Sequence, residues 1–277
     1  MTITYRQYEI TLTTESPFRI GRKRDPFTSI EQPIIVLGGR IVIPGTTLKG
    51  ALREEMKRYL IEKYSDRPGM KPCIPATPQT LTQDEYELIR RGIYKGPGCH
   101  YPCNVQRGTC KSVLCINNQI YLSKEEQGRG LHYICPVCYL LGAQGLPGFV
   151  IVPFLYAEAQ PQELPALRMD RATKTVATGN YGTYRTYQVV PLGTKFTGTL
   201  KILLNDPIRN WKLGEPRNLK EHSLGDLWLQ KNPEWKEPNK IINELILDRL
   251  RSISMLGGFK SHGAGKVKIT VRSIGSG

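Results

Sequence analysis

From Tyr5 to Thr14 the chain alternates apolar and polar positions in a run rich in Thr, Ile and Tyr. This period of two predicts a strand that stops at Glu15-Ser16-Pro17. Short apolar runs between Ile34 and Ile43 predict a pair of strands. Pro44-Gly45-Thr46-Thr47 reads as a turn with a threonine N-cap, opening a helix that continues to Lys63. Inside it Leu48, Leu52, Met56 and Leu60 recur every fourth residue, the spacing of a core-facing stripe. Further along, strands are predicted over Phe149 to Glu158, Val189 to Leu204 and Lys266 to Val271, with an amphipathic helix over Ile241 to Met255. Leu167 to Tyr187 lacks the period of a buried element and reads as a protruding β-hairpin, while Lys212 to Lys240 reads as a polar connection.

Stripped of insertions the order is β-α-β-β-α-β, which predicts an α+β fold with a ferredoxin-like core. Residues 1–65 and 134–277 supply that core, with the hairpin at 165–188. The intervening stretch, 66–133, carries Pro, Gly, most of the cysteines and one helical patch at Gln83 to Arg91. With so little apolar periodicity it cannot bury enough surface to stand alone, so it reads as an inserted subdomain held by something other than a core.

The cysteines supply that something. Cys135-Pro136-Val137-Cys138 is a C-x-x-C, Cys110-x4-Cys115 precedes it by twenty residues, and Cys99-x3-Cys103 and Cys73 lie further upstream. Paired thiolates suit a tetrahedral structural Zn2+, whose binding contributes folding free energy. The favoured ligands are Cys110, Cys115, Cys135 and Cys138, with Cys99 and Cys103 as alternates. His100 brings the candidate ligands to eight, enough for two ions. A catalytic zinc is not expected, because no H-x-E accompanies the cysteines.

Charge changes the picture next. Lys plus Arg number 39 against 24 Asp plus Glu, giving +15 and a pI near 9.5, so a polyanion is the expected partner. Basic residues cluster at Arg19, Arg22, Lys23 and Arg24, and on the hairpin at Arg168, Arg171, Lys174 and Arg185. The uncharged run Cys138 to Ala157 approaches the length of a membrane span. Gly142, Gly145, Pro147, Gly148 and Pro153 argue against that, so no membrane is expected. The opening residues lack the basic start and apolar run of a secretory leader, and the expected compartment is the cytoplasm. Leu256 to Lys266 is a glycine-rich loop in which Lys260, His262 and Lys266 stand among four glycines. It suits phosphate contact, or serves as a flexible turn, and it is not a P-loop.

Val42-Ile43-Pro44-Gly45-Thr46-Thr47-Leu48-Lys49-Gly50-Ala51-Leu52-Arg53 resembles the I-P-G-S-S-L-K-G-x-x-R signature of the CRISPR-associated RAMP superfamily. Cys135 to Gly142 resembles the C-P-x-C-x-L-F-G of its backbone subunits, Gly257 to Val267 its glycine-rich loop, and Asp170 to Thr173 with Gly179 its thumb hairpin. The resemblance implies a modified RNA-recognition-motif core in a subunit that polymerises along CRISPR RNA. The complex would be antiviral, most like type I-D and next like type III. Implied partners are single-stranded guide RNA, copies of the same chain, other effector-complex subunits and a target DNA or RNA strand. It also implies that Lys49 and Arg53 meet guide phosphates at a helix N-terminus, that Arg19, Arg22 and Arg24 line the same groove, and that Tyr181, Tyr184 and Tyr187 stack bases. Strand packing is the alternative for the tyrosines. Type III subunits cut target RNA with a loop Asp. Here Ile30-Glu31-Gln32-Pro33 puts Glu31 at that position, which leaves an endoribonuclease as the alternative to a non-catalytic scaffold.

Overall fold

A computed structural model describes residues 2–22, 30, 33–64, 66–70, 72–73, 115–116, 119–120, 134–143, 146–167, 184–217 and 226–276. The molecule is mixed α+β. Its centre is an eight-stranded sheet in the order β12 (Val267–Ser276), β1 (Thr4–Thr14), β10 (Lys195–Asp206), β7 (Leu155–Ala157), β3 (Arg40–Ile43), β2 (Val36–Leu37), with two short strands, β6 (Val150–Ile151) and β11 (Trp211–Lys212), also paired to β10. Strand β1 (Thr4–Thr14) runs antiparallel to β10 (Lys195–Asp206) on one side and to β12 (Val267–Ser276) on the other, with Ile10 opposite both Gly198 and Val271. The predicted alternation holds: Tyr8, Ile10, Leu12 and Thr14 are buried, and the residues between them are not. The predicted pair between Ile34 and Ile43 forms as β2 (Val36–Leu37) and β3 (Arg40–Ile43).

Helix α1 (Gly45–Tyr64) buries its predicted stripe of Leu48, Leu52, Met56 and Leu60 completely. Its start differs from the sequence reading. The Pro44 carbonyl accepts from Leu48 N–H at 3.3 Å, so Pro44 holds the cap position and both threonines lie inside the helix.

The predicted strand over Phe149 to Glu158 is broken into β6 (Val150–Ile151) and β7 (Leu155–Ala157). Pro153, which has no N–H for a ladder, sits in the break, and two glycines accommodate the resulting pucker. A Cβ at Gly198 would stand 2.6 Å from the Phe154 carbonyl oxygen, and one at Gly45 would stand 2.7 Å from the Val152 carbonyl oxygen. The glycine of the Pro44-Gly45 turn is therefore the point where α1 docks on the sheet.

Short helix α2 (Pro136–Leu141) buries all six of its residues, with Cys135 at its cap and Pro136 at its first position. Two arms of the expected hairpin form as β8 (Gln162–Leu167) and β9 (Tyr184–Val189), with Leu167 opposite Tyr184. The polar connection is less peripheral than its composition suggests. Its Trp228, on α3 (Leu227–Lys231), and Trp235 are fully buried, Trp228 edge-on to Tyr139 at 5.3 Å. Arg217 and Asp226 form a buried bidentate ion pair with both bonds at 2.9 Å. The last helix, α4, begins with Pro238–Lys240, continues through a π-helical segment, Ile241–Leu247, and ends with Asp248–Ser252. Of residues 66–133, the described pieces are 66–70 and 72–73 and two short paired strands, β4 (Cys115–Ile116) and β5 (Gln119–Ile120). Met70 and Cys73 belong to the main core.

Candidate nucleic-acid interface and cysteine cluster

Three separate segments meet at one open groove of about 630 Å³. One wall is the face of α1 formed by Thr46, Thr47, Gly50 and Glu54; the other is Ile253 to Gly258 with Lys260; Ile20 and Gly21 complete it. The groove thus joins the Pro44-to-Arg53 motif to the glycine-rich loop. Glu54 and Glu55 at one end are paired with Lys57 and Arg58, whereas Lys260 has no ion pair among the described residues.

The glycine-rich loop is held by its own backbone. Gly258 N–H donates to the Arg19 carbonyl at 2.9 Å, Gly265 N–H to that of Pro17 at 2.9 Å, and Leu256 N–H to that of Gly265 at 2.8 Å. Gly257 and Gly265 have φ of +85° and +89°, and a Cβ at Gly257 would stand 2.4 Å from the Arg19 carbonyl oxygen. These glycines serve close approach and left-handed geometry, and the amides of Gly258, Gly263 and Gly265 are spent on the fold. At the tip Phe259, itself left-handed at φ +59°, lies under the Arg19 guanidinium at 5.0 Å and edge-on to Tyr187 at 5.3 Å. Burial lowers the Arg19 pKa from its ordinary value, with Tyr187 opposing. Arg19 Nε is buried without a hydrogen-bond partner.

Of the expected phosphate contacts, Arg22, Lys260, His262 and Lys266 are exposed. Arg22 N–H donates to the Pro33 carbonyl at 3.1 Å, joining the two flanks of the segment that contains Arg24 and Glu31. Arg24, Glu31, Arg168, Arg171, Lys174 and Tyr181 lie outside the described residues, as does the side chain of Tyr184. Lys49 and Arg53 stand on the stripe of α1 next to the one that lines the groove. Arg53 Nη2 donates to the Gly142 carbonyl at 2.9 Å, and its Nη1 lies 3.4 Å from Cys138 Sγ.

Cys73, Cys135 and Cys138 are buried, and their sulfurs lie within 4.8 Å of one another. Cys73 Sγ is 3.4 Å from Cys138 Sγ and 3.6 Å from Cys135 Sγ. Sulfurs bound at about 2.3 Å to one tetrahedral ion stand about 3.8 Å apart, so the cluster fits a metal ion, and three soft donors with a cation beside them fit the charge of thiolates. Cys135 and Cys138 are two of the expected ligands. Cys73, far upstream, was not among them, and its only signal was membership of the cysteine count. Cys99, Cys103 and Cys110 lie outside the described residues, with the side chain of Cys115. The site's electrostatics are mutual. Burial opposes the Arg53 charge, but Cys138, Cys73 and Cys135 together raise its pKa; burial and then Arg53 lower that of Lys49.

Compared with known families, residues 11–268 match the model of the RAMP superfamily. The chain belongs to the RAMP superfamily, which carries a CRISPR-associated RNA-binding function with CRISPR RNA and effector-complex subunits as partners. No individual curated protein matches it. No helix among the described residues is long and apolar enough to cross a membrane.

Proposed function

We propose that the protein is a backbone subunit that binds single-stranded guide RNA through its phosphates, most like the type I-D lineage. The observation that carries this reading is the groove shared by the start of α1 and the glycine-rich loop, with Lys260 in its wall and Arg19 behind it. Phosphates fit there because Thr46, Thr47 and Gly50 of α1 leave its wall small and polar while Lys260 supplies charge. Arg22, Lys266 and His262 extend the basic rim, Lys49 adds charge from the neighbouring stripe, and Arg24, Arg168, Arg171 and Lys174 extend the path along the loop and thumb. The core is ferredoxin-like in this reading, since β12, β1, β10 and the β6–β7 strand lie in the order 4-1-3-2 of a β-α-β-β-α-β unit. The cysteine cluster holds a structural zinc, completed by a cysteine of the insertion.

Binding of a long single-stranded RNA, measured at two salt concentrations, tests the assignment. The expected result is steep salt dependence, little sequence preference and a smaller slope in Lys260→Ala. Salt-insensitive binding, or none, overturns it. A second reading, a target-RNA endoribonuclease, draws on the sequence position of Glu31, between Arg22 and Pro33, which are hydrogen-bonded to each other next to the groove residues Ile20 and Gly21. Cleavage of a complementary RNA at regular intervals, lost in Glu31→Ala, is the result that favours it.

A further inference from the structure

We infer that Arg53 is a positioning residue of the metal centre and not a phosphate contact, fixing Cys138 by a fork that also holds Gly142 at the far end of the same helix. This rests on reading the cysteine cluster as a metal site. On the helix, positions 46, 50 and 54 line the groove, and positions 49 and 53 form the adjacent stripe, turned about 100° away. That stripe faces α2. From it the Arg53 guanidinium spans the short helix, one nitrogen on Cys138 Sγ at 3.4 Å and the other on the Gly142 carbonyl at 2.9 Å.

Both contacts have a reason. Gly142 is the C-cap of α2, and its carbonyl lies beyond the helix, where an ordinary side chain of α2 does not reach it. Three or four thiolates around a divalent ion leave net negative charge, and the site is buried, so a fixed cation beside one sulfur offsets what water cannot. A planar fork reaches sulfur and carbonyl together, whereas a lysine ammonium on the same stem is a single point of charge. Lys49, one turn earlier, adds a second positive charge without a hydrogen bond to the cluster among the described residues. The outer contacts of a metal site set ligand orientation and typically change affinity 10- to 100-fold.

The test uses the full chain with Co2+ as the probe, comparing wild type with Arg53→Gln, Arg53→Lys and Lys49→Gln. Three readouts are taken: the thiolate-to-cobalt absorption band, Co2+ affinity by competition with a chelator, and the salt slope of single-stranded RNA binding. Arg53→Gln is expected to weaken Co2+ about 10- to 100-fold and shift the band, Arg53→Lys to rescue little, and the RNA salt slope to stay as in wild type. Circular dichroism of Arg53→Lys, which keeps charge and stem, separates loss of metal from loss of fold. Wild-type Co2+ affinity and band in both Arg53 variants overturn the inference, as does a salt slope lowered by about one in Arg53→Gln with Co2+ binding intact. If wild type itself shows no thiolate band, the metal reading falls first, and the inference with it.

Discussion

The groove and the cysteine cluster lie on neighbouring stripes of one helix, yet they are built by opposite means. The groove is open, and its glycine-rich wall is shaped by backbone: amides tied to Pro17 and Arg19, and glycines where side chains would collide. The cluster is buried and shaped by side chains, three sulfurs and a guanidinium drawn from α1, the start and middle of α2, and Cys73. A site made of backbone tolerates changes of side chain at its surface but not of conformation. A site made of buried side chains is the reverse.

The largest expected effect follows from removing a sulfur. Cys138→Ser, or a strong chelator on wild type, should lower stability by about 3 kcal/mol or more, because metal binding is coupled to folding. Thermal unfolding with and without chelator checks it, and a chelator-insensitive midpoint breaks the contrast between the two sites. Next comes Gly257→Ala, where both the positive φ and the Arg19 carbonyl oppose a side chain. A loss of about 2 kcal/mol in denaturant unfolding is expected. Gly263→Ala sharpens the point: its φ is +80° but nothing lies within 4 Å of the added atom, so the cost should fall to about 1 kcal/mol. The smallest change belongs to Lys260→Ala, which should leave the melting temperature unaltered and weaken RNA binding a few-fold, with the salt slope reduced by about one.

What was legible in the sequence divides along the same line. The alternation of β1 and the four-residue stripe of α1 report which face is buried, and both emerged as read. Periodicity names a face without naming what covers it, so nothing local showed that Arg53 turns to Cys138 or that Cys73 joins a C-x-x-C more than sixty residues downstream. Composition misled at Trp228 and Trp235: Gln230, Lys231, Glu234 and Lys236 lie outside, but Asp226 and Asn232 are buried with the indoles that complete the core. Pro153 was visible from the start, but the break it makes in the strand depends on Gly198 across the sheet and Gly45 at the helix start. The groove was legible only as the resemblance of two motifs, because their meeting is a property of the tertiary fold.

The pucker at Pro153 links three distant positions into one heritable unit. A Cβ at position 45 would meet its Val152 and Pro153 carbonyls, and one at position 198 the Pro153 ring and the Phe154 carbonyl. A descendant chain that straightens this strand frees both glycines at once; a chain that keeps the pucker can change neither. Along the lineage, residues 45, 153 and 198 are therefore expected to vary together, and the pattern of their joint replacement records whether a relative docks its first helix in the same way.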